Sequence, residues 1–205
     1  EVGTGGEVTN GGSIMADRGA ISLVGLAVNQ DGLVRASTTV NVNGSIRLVA
    51  QDTSSFAGSN GDAEPQATHS GKLVLGANSV TEVAVETGSP DTAIDSQPQS
   101  QSQVTLVGKS IDIGEGARIS AHGGDVAVTA SLTPGSPGIV TTEDNDSEIH
   151  IGQGAVIDVS GSDSAVVPVS RNVVQVEARG NELRDSPLQR GGVLQGQTVN
   201  VDVRY

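Results

Sequence analysis

The chain has 205 residues, a formal net charge of −13 and no cysteine, and 35% of its residues are hydrophobic. This acidic balance disfavours nucleic acids, anionic membrane surfaces and heparin-like polyanions as partners, because like charges repel one another. Phe56 and Tyr205 are the two aromatic residues, which disfavours a globular core built on aromatic packing.

A short apolar triplet recurs along the chain at intervals of 22 to 31 residues. An apolar–x–apolar unit is typical of a strand with one buried face, and its return at this period indicates a solenoid with one repeat per turn. In chain order, the triplets are Ile21-Ser22-Leu23, Ile46-Arg47-Leu48, Leu73-Val74-Leu75, Val104-Thr105-Leu106, Val126-Ala127-Val128, Ile149-His150-Ile151, Val174-Gln175-Val176 and Val199-Asn200-Val201.

The residues after each triplet follow a shared order. Val107-Gly108, for example, is followed by Ile111 and Ile113 and then by Glu115-Gly116. Glycine, asparagine and aspartate tolerate the positive φ of a sharp corner, and no stretch carries a sustained helical stripe of apolar residues. The sequence therefore predicts an all-β fold, a parallel β-helix of about eight turns over residues 1–205, with essentially no helix. Eight turns would make a rod roughly 38 Å long.

Three insertions interrupt the repeats, at residues 52–70, 87–103 and 133–147. Insertions in a solenoid form loops outside the stack, and such loops often build the binding face. Runs rich in serine, glutamine and proline also occur in linkers that bind nothing. The sequence leaves both interpretations open.

One acidic run contains candidate ligands for calcium. Glu143, Asp144, Asp146 and Glu148 supply the hard carboxylate oxygens that calcium prefers at about six to eight per ion. The run lacks the spacing of an EF-hand loop, and a solvated acidic loop is the alternative. Calcium is the one cofactor that the sequence suggests.

Two pairs of carboxylates are candidates for acid/base catalysis on a polysaccharide. They are Asp112 with Glu115 and Asp158 with Asp163, each near stacked positions of the predicted turns. Carboxylates at corners are expected to be a solvated face, and sugar-binding clefts usually offer aromatic platforms that this chain lacks. We therefore expect no catalytic residues and no enzyme activity, and a polysaccharide-acting enzyme remains the alternative.

The three histidines, His69, His122 and His150, fall in different predicted turns. His150 stands in the middle of its triplet, so its side chain is expected to point outward from the rod. We expect surface histidines rather than metal ligands.

The segment is expected to belong to a longer, exported rod. No apolar run approaches transmembrane length, so no membrane-spanning segment is expected. The chain begins and ends within the repeat pattern, whereas the ends of solenoids normally carry polar caps. The absence of cysteine fits a chain that crosses an outer membrane unfolded, because an early disulfide would lock a loop.

Two features resemble a known family. Gly19-Ala20-Ile21-Ser22-Leu23 and Gly154-Ala155-Val156-Ile157-Asp158-Val159-Ser160-Gly161 resemble turns of filamentous-haemagglutinin-type exoproteins, the large secreted partners of two-partner secretion systems in Gram-negative bacteria. The stretch at 181–196, NELRDSPLQRGGVLQG, is similar to a segment found in a subgroup of these exoproteins. The resemblance implies a right-handed parallel β-helix, export through an outer-membrane β-barrel transporter, and a role in adhesion or virulence.

This resemblance sets the functional expectation. The family's amino-terminal secretion domain has Asn-Pro-containing motifs that this segment lacks, so the transporter would contact other parts of the full protein. The segment would be a shaft, secreted or at the bacterial surface, that presents loops to a receptor on a host or bacterial cell. A passive structural spacer is the other alternative, because no residue of this segment has a chemistry that identifies a receptor.

Overall fold

A computed structural model of the chain describes residues 6–39, 42–52, 55–57, 64–67, 69–86, 101–132, 146–161, 169–177, 193 and 196–204. Eighteen strands and one 3₁₀ turn, Val169–Asn172, lie among these residues. The strands are β1 (Glu7–Asn10), β2 (Ser13–Ala16), β3 (Ala20–Gly25), β4 (Ala27–Gln30), β5 (Leu33–Thr38), β6 (Ser45–Ala50), β7 (Ser55–Ala57), β8 (Glu64–Gln66), β9 (Lys72–Leu75), β10 (Val80–Val85), β11 (Gln103–Gly108), β12 (Ser110–Ile113), β13 (Arg118–Ala121), β14 (Asp125–Ala130), β15 (Glu148–Ile151), β16 (Val156–Asp158), β17 (Val173–Glu177) and β18 (Thr198–Asp202).

Three parallel sheets form the three faces of a rod. Face 1 has the order β1-β4-β9-β12-β15, face 2 the order β2-β5-β10-β13-β16, and face 3 the order β3-β6-β11-β14. The chain thus visits each face once per circuit, and every circuit lies on the previous one. The predicted parallel β-helix is confirmed.

The described residues form fewer turns than the expected eight. The described residues form five rungs: β1–β3, β4–β6, β9–β11, β12–β14 and β15–β16. At about 4.8 Å between strands, they extend roughly 19 Å along the rod. Four of the eight triplets lie on face 3 and two on face 1, while the last two form the antiparallel pair β17–β18. An apolar–x–apolar triplet marks any strand with one buried face, so counting triplets does not count turns.

Parallel register stacks like residues in columns inside the rod. On face 1, Val28, Leu73 and Ile111 lie one above another, and all three are fully buried. Burying one such side chain stabilises the fold by about 1.5–3 kcal/mol. The buried hydrophobic residues that the structure describes are all valine, isoleucine, leucine or alanine, and none is aromatic. They are Ile21, Val28, Val34, Ala36, Ile46, Leu48, Val49, Ala50, Leu73, Leu75, Val83, Val104, Leu106, Ile111, Ile113, Ala117, Ile119 and Ala121.

Two buried amides interrupt this apolar interior. Asn10 Nδ2 donates to Gln30 Oε1 at 2.6 Å, directly above it on face 1. Gln30 Nε2 in turn donates to the carbonyls of Gly32 at 2.9 Å and Val80 at 3.0 Å. In the next rung Leu75 occupies the same column. Because a buried amide is costly without partners, these hydrogen bonds tie the first three rungs into one register.

The corner between face 1 and face 2 requires residues without bulk. A Cβ on Gly114 would lie 2.7 Å from the carbonyl oxygen of Leu75 and 2.9 Å from the amide nitrogen of Ala77, one rung below. Asn78 and Gly116 occupy left-handed conformations at the same corner, with φ of 60° and 67°. Glycine and asparagine therefore appear at this corner for the reason that the sequence suggested.

The predicted insertions fall at corners of the rod, between strands that lie on different faces. The structure describes part of 52–70, where β7 and β8 pair in antiparallel fashion. Residues 87–100 and 133–145, which hold most of the other two insertions, lie outside the described residues. The first insertion joins β6 to β9 and the third joins β14 to β15, so both leave face 3 and return to face 1. The second joins β10 on face 2 to β11 on face 3.

Candidate functional site: the loop corner

The candidate site is the corner at which the first and third insertions meet the rod. We call it the loop corner and define it by the described residues at the insertion bases: Gln51, Asp52, His69, Ser70 and Leu132. The corner forms because the chain passes from face 3 to face 1 there in every circuit. Insertions placed at this point of different circuits therefore emerge above one another.

The two ends of the first insertion are held together by several contacts. Gln51 and Ser70 form an isolated antiparallel bridge. The backbone N–H of Asp52 donates to the carbonyl of His69 at 2.9 Å, and the backbone N–H of His69 donates to Asp52 Oδ1 at 3.0 Å. The ring Nδ1 of His69 lies 2.9 Å from Asp52 Oδ2. This clamp fixes where the insertion leaves the rod.

A backbone hydrogen bond joins the bases of the two insertions. The N–H of Ser70, at the end of the first insertion, donates to the carbonyl of Leu132 at 3.1 Å. Leu132 is the last described residue before the third insertion. The two insertions therefore start from adjacent points on the rod. The sequence predicted two insertions here but not the adjacency of their bases, because that adjacency depends on how the rungs stack.

The clamp at the loop corner faces solvent on one side. The His69 side chain is 57% exposed, whereas the Asp52 carboxylate beneath it is 11% exposed. The Asp52 carboxylate accepts from both the backbone and the ring of His69, so it is satisfied although shielded. The clamp therefore presents an imidazole ring to solvent at the base of the first insertion.

The calcium candidates lie in and beside the third insertion. Glu143 and Asp144 lie outside the described residues. Asp146 is exposed and has φ of 52°, and Glu148 Oε1 accepts a hydrogen bond from the hydroxyl of Ser110 at 3.2 Å. No group of three or more histidine, aspartate or glutamate side chains suited to a metal occurs in the described part of the chain. The calcium set stays a prediction.

The predicted pairs of carboxylates take different partners. Asp112 points outward from β12, and its Oδ1 lies 3.0 Å from Nδ1 of His150 on β15. Glu115 lies exposed at the following corner, and Asp163 lies outside the described residues. His150 is 71% exposed, which confirms its predicted outward orientation. The contact between Asp112 and His150 could not be found from the sequence, because it needs the register between two rungs.

Asp158 has a local partner at the end of β16. The hydroxyl and the backbone N–H of Ser160 both bond to its carboxylate, and together they hold the pKa of Asp158 below its usual value of 3.8. The backbone N–H lies 2.9 Å from Asp158 Oδ1. The electrostatic effect of His122 also lowers this pKa, more weakly, whereas desolvation of the carboxylate raises it. The arrangement closes a turn and keeps the carboxylate ionised.

Comparisons of the chain with protein-family models, curated proteins and solved structures found no match. Among the described residues, no helix is long and apolar enough to cross a membrane.

Proposed function

We propose that the chain is a shaft segment of a secreted bacterial exoprotein of the filamentous-haemagglutinin type, which presents loops for adhesion. The observation that carries this proposal is the hydrogen bond between Ser70 and Leu132. It joins the bases of two insertions at one corner of a rod, from which their loops would act as one surface.

The rod suits the task of holding such a surface in place. Its rungs are joined by continuous parallel ladders, and its interior is stacked aliphatic residues. A solenoid of this kind resists bending because each rung is bonded to its neighbours over most of its length. The contacts between Asp52 and His69 hold the two ends of the first insertion in a fixed position on this rod.

The partners of the proposed exoprotein follow from the sequence resemblance. An outer-membrane two-partner-secretion transporter would export it through parts of the full protein beyond this segment. A receptor on a host or bacterial cell surface would contact the loops. The proposed location is therefore secreted or at the bacterial surface, and no catalysis is assigned to the segment.

Binding of the fluorescently labelled 205-residue chain to epithelial cells tests the proposal. We expect saturable binding that is lost when either 52–70 or 133–147 is replaced by a short glycine–serine link. Trimming 87–100 is the matched control, because the second insertion lies at a different corner and this change spares β11, so binding should survive. Repeating the measurement with a calcium chelator tests the run at 143–148.

Other outcomes favour the alternatives. Binding that survives removal of both corner insertions, or no saturable binding at all, would contradict adhesion through the loop corner and favour a passive spacer. Hydrolysis of a polysaccharide that is lost in Asp112→Asn or Asp158→Asn would favour the polysaccharide-acting enzyme.

A further inference from the structure

A second surface feature lies on face 2, away from the loop corner. Strand β2 ends at Ala16, whereas β5 and β10 continue for two further paired residues beyond that level. Rung 1 turns away early at Arg18, which has φ of 55°. The backbone N–H of Arg18 donates to the hydroxyl of Ser37 at 2.9 Å, so this turn lies against the outer surface of β5.

The result is an open cleft of about 680 Å³, which we call the face-2 cleft. Two residues with small side chains, Ser37 and Ala84, form its floor, and they are paired neighbours on β5 and β10. Its lining consists of Met15, Asp17, Arg18, Arg35, Ser37, Ala84, Val85 and Glu86.

Two ion pairs border the floor of the face-2 cleft. Arg35 Nε lies 2.9 Å from Glu82 Oε1 on one side. On the other side, Arg18 contacts both carboxylate oxygens of Glu86, at 3.0 and 2.9 Å. Glu82 and Glu86 are four residues apart on an extended chain, so the two pairs are separated by about 13 Å. That spacing leaves room for a small ring-shaped ligand over the floor.

The cleft offers hydrogen-bond donors and acceptors in nearly equal measure. Arg35 uses Nε for Glu82, and its terminal nitrogens form no hydrogen bond with any described residue. The Ser37 hydroxyl accepts the backbone N–H of Arg18 at 2.9 Å and can still donate its own proton. The lining includes two arginines, Arg18 and Arg35, and two carboxylates, those of Asp17 and Glu86, so no excess of either charge selects an ion.

From this composition we infer that the face-2 cleft binds a neutral saccharide of one or two hexose units. A sugar hydroxyl donates and accepts at once, so neighbouring hydroxyls can satisfy an arginine and a carboxylate together. The exposed thioether of Met15, 60% exposed, and the methyl group of Ala84 supply apolar contact for the C–H face of the ring. No aromatic side chain lines the cleft, so we expect a Kd of about 1 mM. This inference is independent of the loop corner.

Saturation-transfer NMR on the whole chain tests it, with the methyl glycosides of glucose, galactose, mannose and N-acetylglucosamine as probes. We expect transfer to at least one glycoside. Ala84→Leu, which fills the floor, and Arg35→Gln, which removes guanidinium donors, should each reduce transfer at least tenfold. The matched controls, Ala127→Leu and Arg47→Gln, make the same changes on the outer surface of face 3 and should leave transfer unchanged.

Three results would overturn the inference. They are the absence of transfer to all four glycosides, transfer that persists in both cleft variants, and binding of methyl glucuronide with no binding of methyl glucoside. The last result would assign the cleft to anions. Thermal unfolding of each variant shows whether it is folded, and Arg35→Gln tests the cleft by itself if Ala84→Leu is unstable.

Discussion

At the scale of single residues, Thr81 is one of the described positions that contradict the rule that buried polar groups are satisfied. Thr81 is fully buried on face 2, stacked between Val34 and Ile119. Its hydroxyl forms no hydrogen bond with any residue that the structure describes. Burying this hydroxyl destabilises the fold, because the hydroxyl loses its hydrogen bonds to water and no hydrogen bond within the protein replaces them.

Thr81→Val should therefore stabilise the chain. Valine has nearly the same shape and removes the unsatisfied hydroxyl, so we expect the free energy of unfolding to rise by about 1 kcal/mol. Urea denaturation followed by circular dichroism measures it. Thr105→Val is the control, because Thr105 lies on the outer surface of face 3 and should change stability little. A loss of stability at Thr81 would mean that its hydroxyl has a partner.

Ser160→Ala should raise the pKa of Asp158. The hydroxyl of Ser160 is the largest cause of the lowered pKa, and its backbone N–H remains in the variant. Carboxyl-carbon NMR during an acid titration measures the pKa directly. Because the folded pKa is lowered, the contact stabilises the fold above pH 3.8 and is lost as the pH falls through the folded pKa. An unchanged pKa in Ser160→Ala would exclude the hydroxyl as its cause.

At the scale of the element, corners limit the sequence more tightly than strands do. Backbone lies directly on backbone at the corner between faces 1 and 2, and a side chain at Gly114 would meet the chain one rung below. The strands, by contrast, accept any aliphatic residue of suitable volume at an interior position.

Gly114→Ala should destabilise the rod by about 2 kcal/mol or more, because backbone rather than a side-chain tip must move. Gly11→Ala is the matched control. No atom lies within 4 Å of the position that its Cβ would take, and its φ is not in the left-handed region. The control should stay within about 0.5 kcal/mol of the original chain. Equal losses in both variants would show that helical or strand propensity, not the corner, sets the cost.

At the scale of the whole molecule, the cost of a defect depends on its rung. Ile111 and Ile149 occupy the same interior column of face 1, in neighbouring rungs. Ile111 is fully buried between two rungs, whereas Ile149 is 44% exposed. In a solenoid each rung depends on its neighbours, so a central defect weakens contacts on both sides.

Ile111→Asp should cost at least about 4 kcal/mol, because it buries an unpaired charge in the stack. Ile149→Asp makes the same change at the half-exposed position and should cost about 1 kcal/mol. Urea denaturation of the two variants measures the difference. Similar losses at both positions would contradict a rung-by-rung account of stability.

Part of the candidate site was predictable. The outward orientation of His150 and the polar corners follow from local patterns. The adjacency of Ser70 and Leu132 does not, because those residues are distant in the chain and meet only when the rungs stack. The same holds for Asp112 with His150 and for the face-2 cleft, where the turn at Arg18 contacts residues of later rungs.

The sequence by itself determined that the chain is all-β, that its strands bury one aliphatic face, and that the strands stack as a parallel β-helix. The alternation of apolar and polar residues and the choice of corner residues are local signals, because each can be recognised within a few residues. The tertiary structure alone decided the number of rungs, the face of each strand and the antiparallel pairing of β17 with β18. The register between strands depends on the length and path of the whole circuit. The residues of a triplet therefore do not specify which strand will pair with it.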